Sequence, residues 1–196
     1  MNPMSVITVV RKNGFVAIAA DTMSKNGTTR ETATYIINHD KIWQVGDSFA
    51  VISGPTSAKL ALQHYFATLP EAPALTDVKA IYSAWLAVHQ ALQDNYFLDV
   101  SQDTEGAFES AQMDVLIANS KGIFGVSAHR SVQEFSKFYA SGRGDEYAMG
   151  AMYATYADES KSAEAIARLG VEAAAEFCDS VGLPVTSRAI KLDAAN

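Results

Sequence analysis

The stretch SVITVVRKNGFVAIAADT, residues 5–22, constrains the fold more than any other part of the chain. Residues 5–12 read as a β-strand, and residues 15–21 read as its return. Asn13-Gly14 between them has the composition of a two-residue turn of the primed type, which leaves no freedom in register. Lys12 must face Phe15, and counting back sets Val6 opposite Asp21 and Ser5 opposite Thr22. Spacing alone therefore puts the Asp21 carboxylate beside the free end of the first strand, where the Ser5 hydroxyl stands.

Further elements follow in segregated runs. Residues 22–33 are polar and read as a loop, followed by strands TYIIN, KIWQV and SFAVIS, the last two joined by Gly46-Asp47. A helix begins at Thr56 or Ser57 as N-cap and stops at Pro70. The spacing of Val78, Ile81, Trp85, Val88 and Leu92 predicts an amphipathic helix over 77–96. A polar stretch to residue 111 reads as a long loop. MDVLIAN and IFGVSA form another hairpin, VQEFSKFYA a further strand, and two helices follow, the second over 162–181. VTSRAIKL closes as a strand. Strands, two helices, strands, two helices and a strand predict an α+β layered fold, two sheets face to face with helix pairs outside, rather than alternating βαβ units.

The 196 residues suffice for one domain with a sizeable core. A net charge of −7 argues against nucleic-acid or membrane-surface binding, which needs clustered Lys and Arg. Cys178 is the one cysteine, so no internal disulfide is expected. His39, His64, His89 and His129 show no metal spacing, and DVSQDTEG lacks the alternate-position ligands of a calcium loop, so no metal and no cofactor is expected. Absence of a signal-like segment or a long apolar run makes the cytoplasm the expected compartment.

Three segments resemble the proteasome β-type subunits, and most closely the HslV-type peptidases. SVITVVRKNGFVAIAADT is similar to the family's opening hairpin, KIWQVGDSFAVISGPTSA to its lysine strand and Gly turn into the first helix, and ASGRGDEYAMGAMYA to its Ser-Gly-x-Gly turn. The resemblance implies a four-layer αββα sandwich of the Ntn-hydrolase type. In that class the first residue of the mature chain is the nucleophile and its own α-amine is the base. It also implies peptide-bond hydrolysis of unfolded polypeptides or peptides inside stacked homo-oligomeric rings of 6- or 7-fold symmetry, with an AAA+ unfoldase as a further partner.

The resemblance carries over residue by residue. Ser5 stands at the family's catalytic threonine. A hydroxyl needs a base within reach, and a free α-amine, with a reference pKa of about 7.7–8.0, serves near neutrality. Asp21 is implied to hold the lysine and the amine. Lys41 is implied to lie beside the nucleophile, with Lys25 or Arg30 as the alternative cation. Gly54 falls at the oxyanion donor, and Ser141 at the serine that bonds the amine.

Departures from the pattern are equally specific. Cys178 and Val181 replace the Asp-x-x-Ser of many β subunits, as in HslV-type members. Pro55 follows Gly54 where a small residue is usual, and Ser replaces Thr as the nucleophile, removing the methyl that fixes the hydroxyl rotamer. Met4 stands where relatives with propeptides have Gly. The chemistry requires residues 1–4 to be removed. Retention of those residues gives the alternative of an inactive ring subunit, and a small-molecule Ntn amidase is a further alternative. Residues 80–120 hold Asp94, Asp99, Asp103, Glu105, Glu109 and Asp114 but no Lys or Arg, which a ring would concentrate into an acidic entrance or chamber.

Overall fold

The computed structural model describes residues 5–98 and 110–194. Residues 1–4, the acidic residues Asp99, Asp103, Glu105 and Glu109, and the calcium-loop test over 99–106 lie outside that range.

The hairpin forms as its turn dictates. β1 (Val6–Lys12) and β2 (Phe15–Asp21) pair antiparallel with Lys12 opposite Phe15 and Ile7 opposite Ala20. Asn13 and Gly14 both take positive φ, 52° and 76°, as this turn requires. Both strands are almost wholly buried, because each is covered on two faces. The polar segment after β2 is a second small hairpin, β3 (Ser24–Asn26) with β4 (Thr29–Glu31), rather than a loop. TYIIN is not a strand. Tyr35 and Ile36 N–H groups both donate back to the Thr32 carbonyl, and this turn leaves Ile37 98% exposed. Apolar β-branched composition lost there to local turn geometry.

β5 (Ile42–Val45), β6 (Ser48–Ser53), β7 (Asp114–Asn119), β8 (Gly122–Val126) and β9 (Val132–Phe135) make a five-stranded sheet in that order. β10 (Phe138–Gly142), β1, β2 and β11 (Val185–Lys191) make a four-stranded one. VQEFSKFYA is thus two strands, not one. The chain crosses between sheets at Ser136-Lys137, with the Lys137 carbonyl accepting from Arg11 N–H.

Helices α1 (Thr56–Thr68) and α2 (Val78–Tyr96) cover the larger sheet; α3 (Asp145–Tyr156) and α4 (Ala163–Phe177) cover the smaller. Pro55, not Thr56 or Ser57, occupies the N-cap of α1, whose first turn has no side-chain cap. Asp77 caps α2 by accepting from the Lys79 and Ala80 N–H groups, and Ser162 caps α4.

The layers sort by strand parity. Val6, Val10, Ala17 and Ala19 pack on α3 and α4, whereas Ile7, Val9, Ile18 and Ala20 meet Val51, Leu116 and Ala118 of the other sheet. Four layers, αββα, result. The inter-sheet seam ends at residue 5, so Ser5 continues the odd-numbered, inward-facing set of β1 at the open end of the sandwich.

Candidate active site

Four elements bring their ends together there. Ser5 is 6% exposed although it stands just ahead of β1. Its carbonyl accepts from Arg143 N–H at 2.8 Å and lies 3.4 Å from Ser53 Oγ. Gly142 carries φ 107°, and any Cβ on it would collide with the Ser5 carbonyl oxygen, so the Ser-Gly of the turn is what lets β10 close on residue 5.

Lys41 stands at the entry to β5 and reaches across the seam. Its Nζ donates to Ser5 Oγ at 2.8 Å, to Asp21 Oδ1 at 2.7 Å and to the Met23 carbonyl at 2.6 Å. Three donors thus find three acceptors, which fixes the ammonium in space. Of the alternative cations, Lys25 pairs with Asp179 at 3.0 Å and Arg30 Nε points to Met23 Sδ at 3.0 Å. Neither has a contact with Ser5 among those described.

Asp21 is fully buried, and its carboxylate accepts from Val6 N–H at 3.3 Å, Met23 N–H at 3.2 Å and Gly182 N–H at 3.2 Å besides Lys41. Burial pushes its carboxyl above the usual range, with the Lys41 charge and these hydrogen bonds opposing. Burial likewise pushes the Lys41 ammonium down, with Asp21 opposing. The pair is an anchored proton-holding unit touching the Ser5 hydroxyl.

Ser5, Lys41 and Gly54 line one cleft of about 220 Å³ with Ser24, Glu31, Ile36 and Lys59. Gly54 also lies against Met113, which a Cβ would meet at 2.9 Å. Ser141 is 7% exposed and faces the seam, but its hydroxyl bonds Asp114 Oδ2 at 2.9 Å. Cys178 and Val181 pack into the helix-side core, where Val181 is 1% exposed and carries no polar atom.

Two neighbours escaped the sequence reading. Lys59, on α1, is 8% exposed and donates to the Asn38 and Asp40 carbonyls at 3.3 and 2.6 Å, tying down the segment that leads into Lys41. Burial lowers its pKa, and the nearby Lys41 charge adds to this. The signal was a lone lysine in the apolar run of α1. The other is Asp114, visible in the sequence only as one acid in a cation-free stretch.

Thiobacillus denitrificans BPH is similar over nearly the whole chain. It is 54% identical, with 96% of this chain and 98% of that one covered and a TM-score of 0.92. The chain belongs to the HslV-like, proteasome β-type peptidase family. A structure of T. denitrificans BPH in complex with epoxomicin matches at 53% identity over 96% of this chain and 100% of that one, again at TM-score 0.92. Eukaryotic HslV from Trypanosoma brucei, 14% identical over 95% and 99% of the two chains, shares the fold at TM-score 0.69. No family model and no curated protein matches the sequence. The Ntn-hydrolase αββα sandwich implied by the three motifs is the architecture observed. Among the described residues no helix of this HslV-like chain is long and apolar enough to cross a membrane.

Proposed function

We propose that this HslV-like chain is an N-terminal-nucleophile peptidase whose mature form begins at Ser5 and works within a ring of identical subunits. The observation that carries the reading is the Lys41 ammonium held between the Ser5 hydroxyl and the buried Asp21 carboxylate. Ser5 Oγ attacks a substrate carbonyl lying in the cleft, and the Ser5 α-amine takes the hydroxyl proton. Lys41 lowers the cost of the negative charge that develops on Oγ. The oxyanion is placed at the Gly54 N–H. The amine then returns the proton to the leaving nitrogen, and water, activated by the same amine, releases the acyl group from Ser5.

Substrates are unfolded polypeptides or short peptides, since the cleft is open at the end of the sandwich. Rings stack to enclose the site, an AAA+ unfoldase feeds it, and the cytoplasm is the compartment. The inactive-subunit alternative is decided at one bond. Intact mass of the protein isolated from its own host should correspond to a chain starting at Ser5. A mass that retains residues 1–4 sinks the peptidase reading.

The pH profile supplies a second expectation. Lys41 must be protonated to stabilise the developing charge, and burial holds its pKa below the 10.5 of a free lysine. Activity is therefore lost as pH rises through a value lower than an ordinary lysine would give. The alkaline limb of kcat/KM for a fluorogenic peptide checks this. A limb at the ordinary lysine value would remove Lys41 from the mechanism.

A further inference from the structure

Cys178 and Val181, which stand where many β subunits carry Asp-x-x-Ser, pack into the helix-side core and bring no carboxylate to the Ser5 end. A different carboxylate stands nearby. Asp114 opens β7 in the other sheet, and its side chain crosses the seam to β10. Parity shows why: Leu116 and Ala118 of β7 face the seam, so Asp114 does too, as does Ser141, which pairs with Ile7. Asp114 Oδ2 accepts the Ser141 hydroxyl proton at 2.9 Å, and Oδ1 accepts Ala128 N–H at 3.1 Å. Both carboxylate oxygens are thereby fixed.

A serine hydroxyl has one proton. With that proton committed to Asp114, the free lone pairs of Ser141 Oγ can only accept. Ser5 lies diagonally across from Ser141 on the same face of the β1–β10 pair, a separation of about 7–8 Å between Cα atoms. Its carbonyl turns toward β10, accepting from Arg143 N–H, and a residue's N–H and C=O point to the same neighbour in such a pair. The Ser5 nitrogen therefore opens toward β10.

We propose that Asp114 is a positioning residue that locks Ser141 as a hydrogen-bond acceptor for the Ser5 α-amine. The proposal rests on Ser5 being the mature terminus. The charged groups around the amine are Asp21 from β2, Lys41 from β5, Asp114 from β7 and Arg143 after β10. Of these, only Asp114 is linked to it through Ser141. Its negative charge and the acceptor it creates both favour the protonated amine.

The Asp114→Asn variant isolates the effect. Asn keeps Oδ1 on Ala128 N–H, so Nδ2 faces Ser141 and donates, forcing the hydroxyl to turn its proton toward the amine. The Ser5 terminus is exposed by cleaving an N-terminal fusion, and the amine is titrated by pH-dependent acetylation read by mass spectrometry. Asp114→Asn should lower its pKa by about one unit, Ser141→Ala similarly, and the double variant no further. The acid limb of kcat/KM should move to lower pH by the same amount. An unchanged amine titration in Asp114→Asn overturns the proposal, as do additive shifts. Ser141→Ala leaves the Ala128 contact intact; if Asp114→Asn fails to fold, an unchanged titration in Ser141→Ala overturns it alone. The titration does not depend on turnover. A coupled amine in a chain that hydrolyses nothing would leave this inference standing and sink the peptidase reading.

Discussion

Ser5→Ala is expected to lower peptide hydrolysis by at least about 10³-fold, the scale on which loss of a covalent nucleophile reads. It should also abolish labelling by an epoxyketone such as epoxomicin, whose double addition needs a hydroxyl and a free amine on one residue. The fold should tolerate the change. Among the described residues Ser5 Oγ accepts from Lys41 alone, while the backbone ties of residue 5 to Arg143 and Ser53 use its carbonyl. Size-exclusion profiles of wild type and variant should therefore coincide. Residual turnover near wild-type rates would show that another group attacks the substrate. Ser5→Thr is the informative companion: the added methyl restricts the rotamer, so turnover should rise if the hydroxyl must stay within 2.8 Å of Lys41 Nζ.

The second large effect is on stability. Asp21→Ala leaves the Lys41 ammonium facing no carboxylate and strands the N–H groups of Val6, Met23 and Gly182 in a site that is fully buried. Removing one partner of a buried pair costs about 3–5 kcal/mol, because the remaining charge stays desolvated. For a chain of this size that corresponds to a fall in Tm of roughly 6–20 °C, at about 2–4 °C per kcal/mol. Calorimetry of the variant decides it. The double variant Asp21→Ala/Lys41→Met removes the orphaned charge and should recover part of the loss, though not activity. If the single and double variants melt together, the pair contributes through its backbone contacts rather than its charges.

The nearness of Asp21 to Ser5 was legible because one turn made it so. A two-residue Asn-Gly loop permits only one register, and that register puts Asp21 next to the start of β1 without any knowledge of the rest. The helices around α2 were legible for a similar reason, since apolar periodicity reports a buried face directly. Elements without that redundancy failed. TYIIN has strand composition but no partner strand, and its backbone satisfied itself in a turn at Thr32. VQEFSKFYA reads as one strand because side-chain alternation does not reveal which sheet a residue joins; the break at Ser136-Lys137 depends on β9 and β10 pairing with different partners. The partners of Lys59 and Asp114 could not be read from the chain, because Lys59 bonds main-chain carbonyls and Asp114 reaches across the two sheets, contacts that no local spacing specifies.

The sequence by itself determined the opening hairpin and its register, which sets the Asp21 carboxylate beside the start of β1. These are local matters of turn chemistry and spacing. Only the tertiary structure decided which cation of three reaches Ser5 and which acceptor fixes the Ser141 hydroxyl. Those choices are made across the seam between the sheets, where Lys41 meets Ser5 and Asp114 meets Ser141 from segments far apart in the chain. Packing of two independent sheets sets such distances, and no spacing along a single strand encodes them.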